Sequence, residues 1–418
     1  MSIKYINVIK CAFCDGLSMS PVIDFGEVAL AGGFLRVDQF KQEKYFSLRV
    51  YFCNDCYAVQ VIDRVDPRTL FEDYFYFSSS IITLQEHFNC YADEVTQRFL
   101  KPESATVLEF GCNDGVLLRP LADRGVRTVL GVDPAKNILN TINDNRLHLI
   151  NNFFNEETSR YVIDNFGKID VIMANNVYAH IPNIQETTRA INLALKDDGI
   201  FIFEAHYLGK VVTEMQYDMI YHEHLYYYSL LSAIKHFERY GMMIFDVKFV
   251  PIHGGSIRFY VCKNESNYAE PSLAVKNLEA EELTMGFNLS KTFEMFYKNV
   301  LLSRDALMEL LVDLRTSGHR VAGYGASGRA NTVIQFCGIT HEHLDYMIDD
   351  APSKLGFYTP GSHFEIRSSS VLFGEDCPDY ILLFAWPFLE EIKTKNIRYL
   401  QNGGKIILPL PELKIYSG

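Results

Sequence analysis

Basic runs, long apolar runs and a leader-like start are all missing from this sequence. Its formal net charge is −13, so the positive field that draws proteins to nucleic acid or to anionic lipid is absent. The opening MSIKYINVIK lacks the continuous apolar core of a secretory signal, and no later segment offers the roughly 18 uninterrupted apolar residues of a membrane span. Nucleic-acid and membrane partners are therefore not expected, and the chain reads as cytoplasmic. In such a compartment the nine cysteines are thiols or metal ligands and not a disulfide framework.

What is present is ordinary globular material: 48% hydrophobic and 22% charged residues over 418 positions. That length exceeds one core and predicts two or three domains. The divisions expected are 1–72, 73–265 and 266–418. Four cysteines are arranged, as CAFC (Cys11, Cys14) and CNDC (Cys53, Cys56). Each CxxC turn gives one ion two thiolates, and two turns complete the tetrahedron of a structural zinc site, with no position left for substrate. The alternative is two unrelated turns or a redox pair, although a redox motif belongs at the head of a helix in a βαβ unit. Cys90, Cys112, Cys262, Cys337 and Cys377 stand alone and read as small buried residues.

From about residue 104 short apolar runs alternate with helical segments, which predicts a parallel sheet covered by helices with its ligand at the carboxyl ends of the strands. The first strand runs into EFGCNDG (Glu109, Gly111, Asn113, Gly115), and the second ends in GVDP, placing Asp133 where a carboxylate can accept from two ribose hydroxyls. A helix cap is the alternative for Asp133, since PAKNILN follows it. This acid-x-Gly-x-x-x-Gly pattern with a second acid resembles class I methyltransferases that use S-adenosylmethionine. The resemblance implies Gly111 at the cofactor's amino-acid end, Asp133 on its ribose, Asn152 and Phe153 at the adenine, and Asn175 beside the methyl-transfer pocket.

After the strand GIFIFEAH comes YHEHLYYYS, residues 221–229. Metalloproteases space their histidines as HExxH, four apart, whereas His222 and His224 are two apart around Glu223. A polar surface loop is the other alternative. His180 follows another strand end and is expected to converge on the same cavity, so the stretch reads as an acid/base and substrate-orienting cluster, neither a metal site nor a patch of core.

YHEHLYYYS behind FEAHYLG, together with the double CxxC and HGGSIRFY (253–260), resembles the sugar-nucleotide C-methyltransferases over essentially the whole chain. These enzymes methylate carbon 3 of nucleotide-linked 4-keto deoxysugars. The resemblance implies His224 as general base, Glu223 as its orienting partner or a sugar ligand, and His180 and Tyr221 at the ketone or enolate oxygen. It also implies a tyrosine from before the cofactor fold, Tyr76 of YFYFSSS, and His222 is the remaining candidate of the group. A carbon beside a ketone becomes nucleophilic only on losing a proton, so a base titrating near neutrality and an enolate stabiliser are what the chemistry needs.

Residues 270–316 read as one or two long helices. Beyond them HRVAGYGASGRANTV spells GxGxxG at Gly323, Gly325 and Gly328, with Asp349 after the next strand. This is either a nicotinamide site or, as the resemblance implies, a Rossmann-like domain holding the substrate's pyrophosphate. On the second reading Ser327, Gly328 and Arg329 meet phosphate, with Lys354 and Tyr358 nearby; a loop that merely packs helix on sheet is the third. The expected protein is a monomeric C-methyltransferase, with a small-molecule O- or N-methyltransferase, an NAD(P)-dependent oxidoreductase and a non-catalytic scaffold as alternatives.

Overall fold

A computed structural model of the chain describes residues 9–71, 77–80 and 82–417. Three sheets organise it. The first is antiparallel, with strands Met19–Ala29, Tyr45–Cys53 and Val59–Val61, and its fourth strand is Tyr226–Tyr227, supplied from far along the chain. Val59 lies opposite Tyr227 and Gln60 opposite Tyr226. The N-terminal module therefore shares its sheet with YHEHLYYYS.

The second sheet has seven strands. Across it run Met242–Val250, Ser256–Lys263, Leu195–His206, Ile169–Asn175, Thr106–Phe110, Thr128–Val132 and Leu147–Ile150. In chain order this reads sixth, seventh, fifth, fourth, first, second, third. The pairs among the first five strands are parallel, and only Ser256–Lys263 runs against its neighbours. The central strands are apolar on both faces because helices cover both, as parallel sheets require. Leu84, Phe88, Tyr91 and Val95 of helix Ile82–Phe99 bury one face.

The third sheet is Rossmann-like: Ile366–Arg367, Met347–Ile348, Val321–Tyr324, Tyr380–Leu383 and Lys405–Leu408 pair in parallel, and Lys414–Ser417 closes the edge antiparallel. The predicted helical stretch before it forms two helices, Leu273–Thr284 and Ser290–Thr316. Among the described residues no helix is long and apolar enough to cross a membrane.

Candidate active site

Glu109, Asn175, Glu204 and His206 lie on one face of the seven-stranded sheet, stepping across three neighbouring strands towards their carboxyl ends. Asn175 donates to Glu109 Oε1 at 2.8 Å, while Glu109 Oε2 and Asn175 Oδ1 are buried without a hydrogen-bond partner among the described residues. Burial pushes the Glu109 carboxyl up to about 8, helped by the charges of Asp133, Glu204 and Asp114. Asp114, in the same loop, also has an orphaned oxygen, Oδ1. Unpaired buried acceptors at this density call for a donor-bearing ligand. A ligand with an ammonium and a sulfonium, such as S-adenosylmethionine, fits them.

The glycine turn has the backbone this requires. Gly111 and Gly115 sit at φ +67° and +76°, and a Cβ on Gly111 would strike Val177 at 2.6 Å. Asp133 follows the second strand directly and accepts from the backbone amides of Asn113 (2.9 Å) and Ala135 (2.8 Å). It thus ties the glycine loop to the turn before the short helix Lys136–Leu139, whose N-cap, Ala135, has no side-chain cap, so Asp133 is not the helix cap that the sequence offered as the alternative. Asn152 is exposed and Phe153 half-buried after the third strand, next to the stacked pair Phe110 and Phe154. Two further contacts carried no sequence signal: Asn113 Oδ1 accepts from Ser78 N–H at 3.0 Å, and Asp114 holds both the backbone and the hydroxyl of Ser79. The segment after Tyr76 is thereby tied to the cofactor loop. Tyr76 itself lies outside the described residues.

The ring of His224 packs on Tyr221 (centroids 4.0 Å apart) and on His180 (5.1 Å), which follows the strand that ends in Asn175. His224 Nδ1 meets the Met219 carbonyl at 2.7 Å. A carbonyl only accepts, so Nδ1 carries the proton and Nε2 presents a lone pair. Burial lowers His224 to about 4, and burial with the neighbouring His224 keeps His180 well below the usual imidazole range. Both side chains keep some accessible surface while protein surrounds them on almost every side, as groups in the wall of a deep cleft do. Glu223 lies against Gly32 of the N-terminal module, and burial raises its carboxyl to about 7.

Two parts of YHEHLYYYS depart from expectation. His222 is turned out of the cluster: its Nε2 reaches the Ser47 carbonyl at 3.1 Å and its ring meets Phe46 edge-on, so it anchors the loop to the N-terminal sheet. Tyr226, Tyr227 and Tyr228 are core, all nearly inaccessible, two of them as the borrowed strand. Tyr221, Glu223 and His224 keep some accessible surface, whereas His222 and the three tyrosines after Leu225 are packing. Residue spacing offers no means of dividing them.

The C-terminal glycine loop is filled by protein. A Cβ on Gly323 would strike Met347 Sδ at 2.2 Å, and one on Gly325 would strike Ala385 at 2.8 Å. Asp349 spends one oxygen on Ala351 N–H and the other on Lys354 Nζ (2.8 and 3.1 Å). Lys354 also donates to the Ala326 carbonyl at 2.7 Å, lying across the loop. Ser327 is the N-cap of helix Gly328–Cys337, accepting from Ala330 N–H. Gly328 lies against Ala31 and Tyr221, so this helix N-terminus points to the catalytic cleft. Arg329 pairs with buried Asp218 (2.9 Å), which also accepts from Trp386 Nε1 (2.8 Å), and its guanidinium lies 4.8 Å from the Trp386 ring centroid. Removing one partner of such a buried pair typically costs about 3–5 kcal/mol. Tyr358 is placed apart from this group, bridging Leu35 and Glu365 in extended backbone and meeting Phe40 edge-on.

In the N-terminal module the two CxxC turns repeat one hydrogen-bond pattern. Cys11 and Cys53 N–H donate to Gly16 and Ala58, and their carbonyls accept from Asp15 and Tyr57. Asp15 and Tyr57 both take left-handed backbone, φ 63° and 65°. The four Sγ atoms lie within 4.8 Å of one another, with Cys11–Cys56 at 3.5 Å and Cys14–Cys53 at 3.6 Å. Tetrahedral zinc with bonds of about 2.3 Å sets sulfurs about 3.8 Å apart, so the cage fits that ion. Hydrogen bonds from Cys53 and Cys56, joined by Gln60, hold Cys11 far below the usual thiol range, and Phe13 and Gly16 N–H donate to Cys11 and Cys14 sulfur.

A seven-stranded sheet with one reversed strand, and orphaned acceptors around its first glycine turn, defines a class I methyltransferase that takes S-adenosylmethionine. Comparison with known proteins agrees. A family described as "Methyltransferase domain" matches residues 84–245, "C-methyltransferase C-terminal domain" matches 251–411, and "Putative zinc binding domain" matches 11–71. C-methyltransferase NovU of Streptomyces niveus is 32% identical over 409 residues, covering 98% of this chain and 97% of NovU. The chain belongs to the C-methyltransferase family. Solved structures resemble it over shorter spans. The magnesium protoporphyrin IX methyltransferase ChlM of Synechocystis PCC 6803 is 15% identical over 47% of this chain and 91% of its own, with a TM-score of 0.34. A methyltransferase in complex with the Trm112 activator of Haloferax volcanii is 14% identical over 43% and 92%, with a TM-score of 0.35. Likenesses this low say nothing about activity or substrate.

Proposed function

We propose that the protein methylates carbon 3 of a nucleotide-linked 4-keto-6-deoxyhexose through an enolate, with His224 as the base. The observation that carries this is the committed Nδ1–H of His224, which leaves Nε2 as a proton acceptor on a ring packed against Tyr221 and His180. When bound, S-adenosylmethionine supplies a methyl on a positively charged sulfur, which a carbon nucleophile takes.

His224 Nε2 removes the proton from carbon 3; the C–H electron pair becomes the bond between carbons 3 and 4, and the carbonyl pair moves onto oxygen. Tyr221 and His180, packed on His224, are the partners assigned to that oxygen. Glu223, whose carboxyl titrates near neutrality, orients the sugar. After carbon 3 has taken the methyl, the carbonyl re-forms and His224 releases its proton to solvent. Glu109, Asn175 and the loop Gly111–Gly115 hold the cofactor's charged end, and Asp133 its ribose. Arg329 and the helix N-terminus at Ser327–Gly328, with Lys354, receive the anionic part of the substrate. Cys11, Cys14, Cys53 and Cys56 hold a structural zinc ion.

The test is mass spectrometry of a panel of nucleotide-linked 4-keto sugars incubated with enzyme and S-adenosylmethionine in deuterated water. A methyl gained on the sugar, and deuterium entering carbon 3 when S-adenosylhomocysteine replaces the donor, support the reading. Methylation of oxygen or nitrogen acceptors alone refutes it.

A further inference from the structure

His206 ends the fifth strand, two residues beyond Glu204 and therefore on the same face of the sheet. Glu204 stands opposite Asn175 in register, so His206 is the next step of the row that begins at the cofactor carboxylates. Both of its ring nitrogens are buried and neither makes a hydrogen bond among the described residues. A neutral imidazole has one donor and one acceptor to satisfy, and burying both unmet is costly enough to ask what meets them. Gln216 is near enough to favour the protonated ring slightly, but its nitrogen donates to Glu214 and to the Gly254 carbonyl, its oxygen accepts from Arg329, and no hydrogen bond of ordinary geometry joins it to either ring nitrogen.

The surroundings point to an oxygen that becomes negative. Burial keeps His206 well below the usual imidazole range, and the charge of Arg329 and the nearness of His224 and His253 push it the same way. The neutral form, which these surroundings favour, still carries one N–H. A neutral imidazole can polarise a carbonyl without giving up its proton. Arg329 adds positive potential at the same place. The proton on carbon 3 and the oxygen on carbon 4 belong to adjacent carbons, so the oxygen's donor must stand on the same side of the site as the base, and His206 is near enough to His224 for each to feel the other's charge.

We propose that His206 is a catalytic residue whose ring N–H donates to the ketone oxygen of the substrate as that oxygen becomes an enolate. No bond to His206 is made or broken; the proton goes to His224 and the electron pair to the oxygen. The proposal rests on the enolate reading of the active site.

The experiment follows deuterium exchange at carbon 3 with S-adenosylhomocysteine bound, and kcat and KM for methylation, in wild type, H206A, H206N and H206Q. Loss of one such donor costs about 100-fold or more in rate. H206A should lose about that much in both exchange and kcat, with KM little changed and the thermal shift given by S-adenosylhomocysteine intact. One amide variant, whichever places its N–H where the ring nitrogen was, should recover about tenfold; Asn mimics Nδ1 and Gln mimics Nε2. Exchange in H206A within about twofold of wild type overturns the proposal. So does a loss of activity that only parallels a loss of thermal stability in all three variants, since a purely structural histidine would behave that way. If H206A does not fold, the two amide variants decide by the same criteria. Wild type that neither exchanges nor methylates any 4-keto sugar fails at the earlier step and overturns the substrate reading itself, whatever the variants do.

Discussion

The chain carries two strand–glycine–helix turns that read alike, EFGCNDG and GYGASG, and they differ in what they leave unmet. Around the first, Glu109 Oε2, Asp114 Oδ1 and Asn175 Oδ1 are buried with no partner among the described residues. Around the second, both oxygens of Asp349 are taken, and Lys354 lies across the loop. A glycine in such a turn permits close approach, but by a ligand or by the protein itself. The unmet hydrogen bonds tell which. The better match to a dinucleotide fingerprint is thus the poorer candidate for one.

The largest effect expected of any test is at His224, the proposed base. His224→Ala should lower kcat by about 10³-fold, within the usual range for a general base, while S-adenosylhomocysteine still raises the melting temperature. Unchanged exchange at carbon 3 in that variant would move the base elsewhere. Next comes the loops' choice of ligand. S-adenosylhomocysteine at 100 times its Kd should stabilise the fold by about 2.7 kcal/mol, and NADH at the same concentration by nothing measurable in a melting curve. Equal shifts would erase the distinction between the loops.

A smaller effect concerns pH. Glu109 is protonated in the free protein below about 8 and should ionise against the cofactor's cationic groups. Cofactor binding then releases a proton, and affinity rises as pH climbs from 6 towards 8, by about tenfold per unit at most if this group alone is linked. Calorimetry in two buffers of different ionisation enthalpy measures that release, and Glu109→Gln should abolish it. Proton uptake on binding would have the sign wrong. The smallest effect is at the second loop, where Asp349→Asn keeps the hydrogen bond from Ala351 and weakens the ion pair of buried Asp349 with partly exposed Lys354. It should cost about 1 kcal/mol or less of stability and leave cofactor affinity as it was, which chemical denaturation and the same calorimetry check.

Much of this was legible in the sequence because it follows periodicity and punctuation: the seven alternating elements, the two CxxC turns, the strand-end positions of Asp133, Asn175 and His180. The rest depends on contacts between distant segments. Nothing local says that His222 reaches Ser47 while His224 turns to Met219, since one residue of backbone rotation separates the two. Arg329 reads as a free phosphate ligand until Asp218 and Trp386 are brought to it. His206, the last residue of an unremarkable apolar strand, gains its interest only from the lack of neighbours able to satisfy it. Asp114 is hidden likewise, because the segment it holds precedes a whole helix.

The borrowed strand Tyr226–Tyr227 also sets an order of assembly. Chains fold largely as they are synthesised, N-terminal units first, yet the module carrying the four cysteines cannot complete its sheet until those two tyrosines have been made. By then the strands of the methyl-donor fold up to Leu195–His206 already exist. The four-cysteine module and the loop of His224 are thus joined late, by one act of strand pairing, and a newly made chain acquires that loop and its finished N-terminal sheet together.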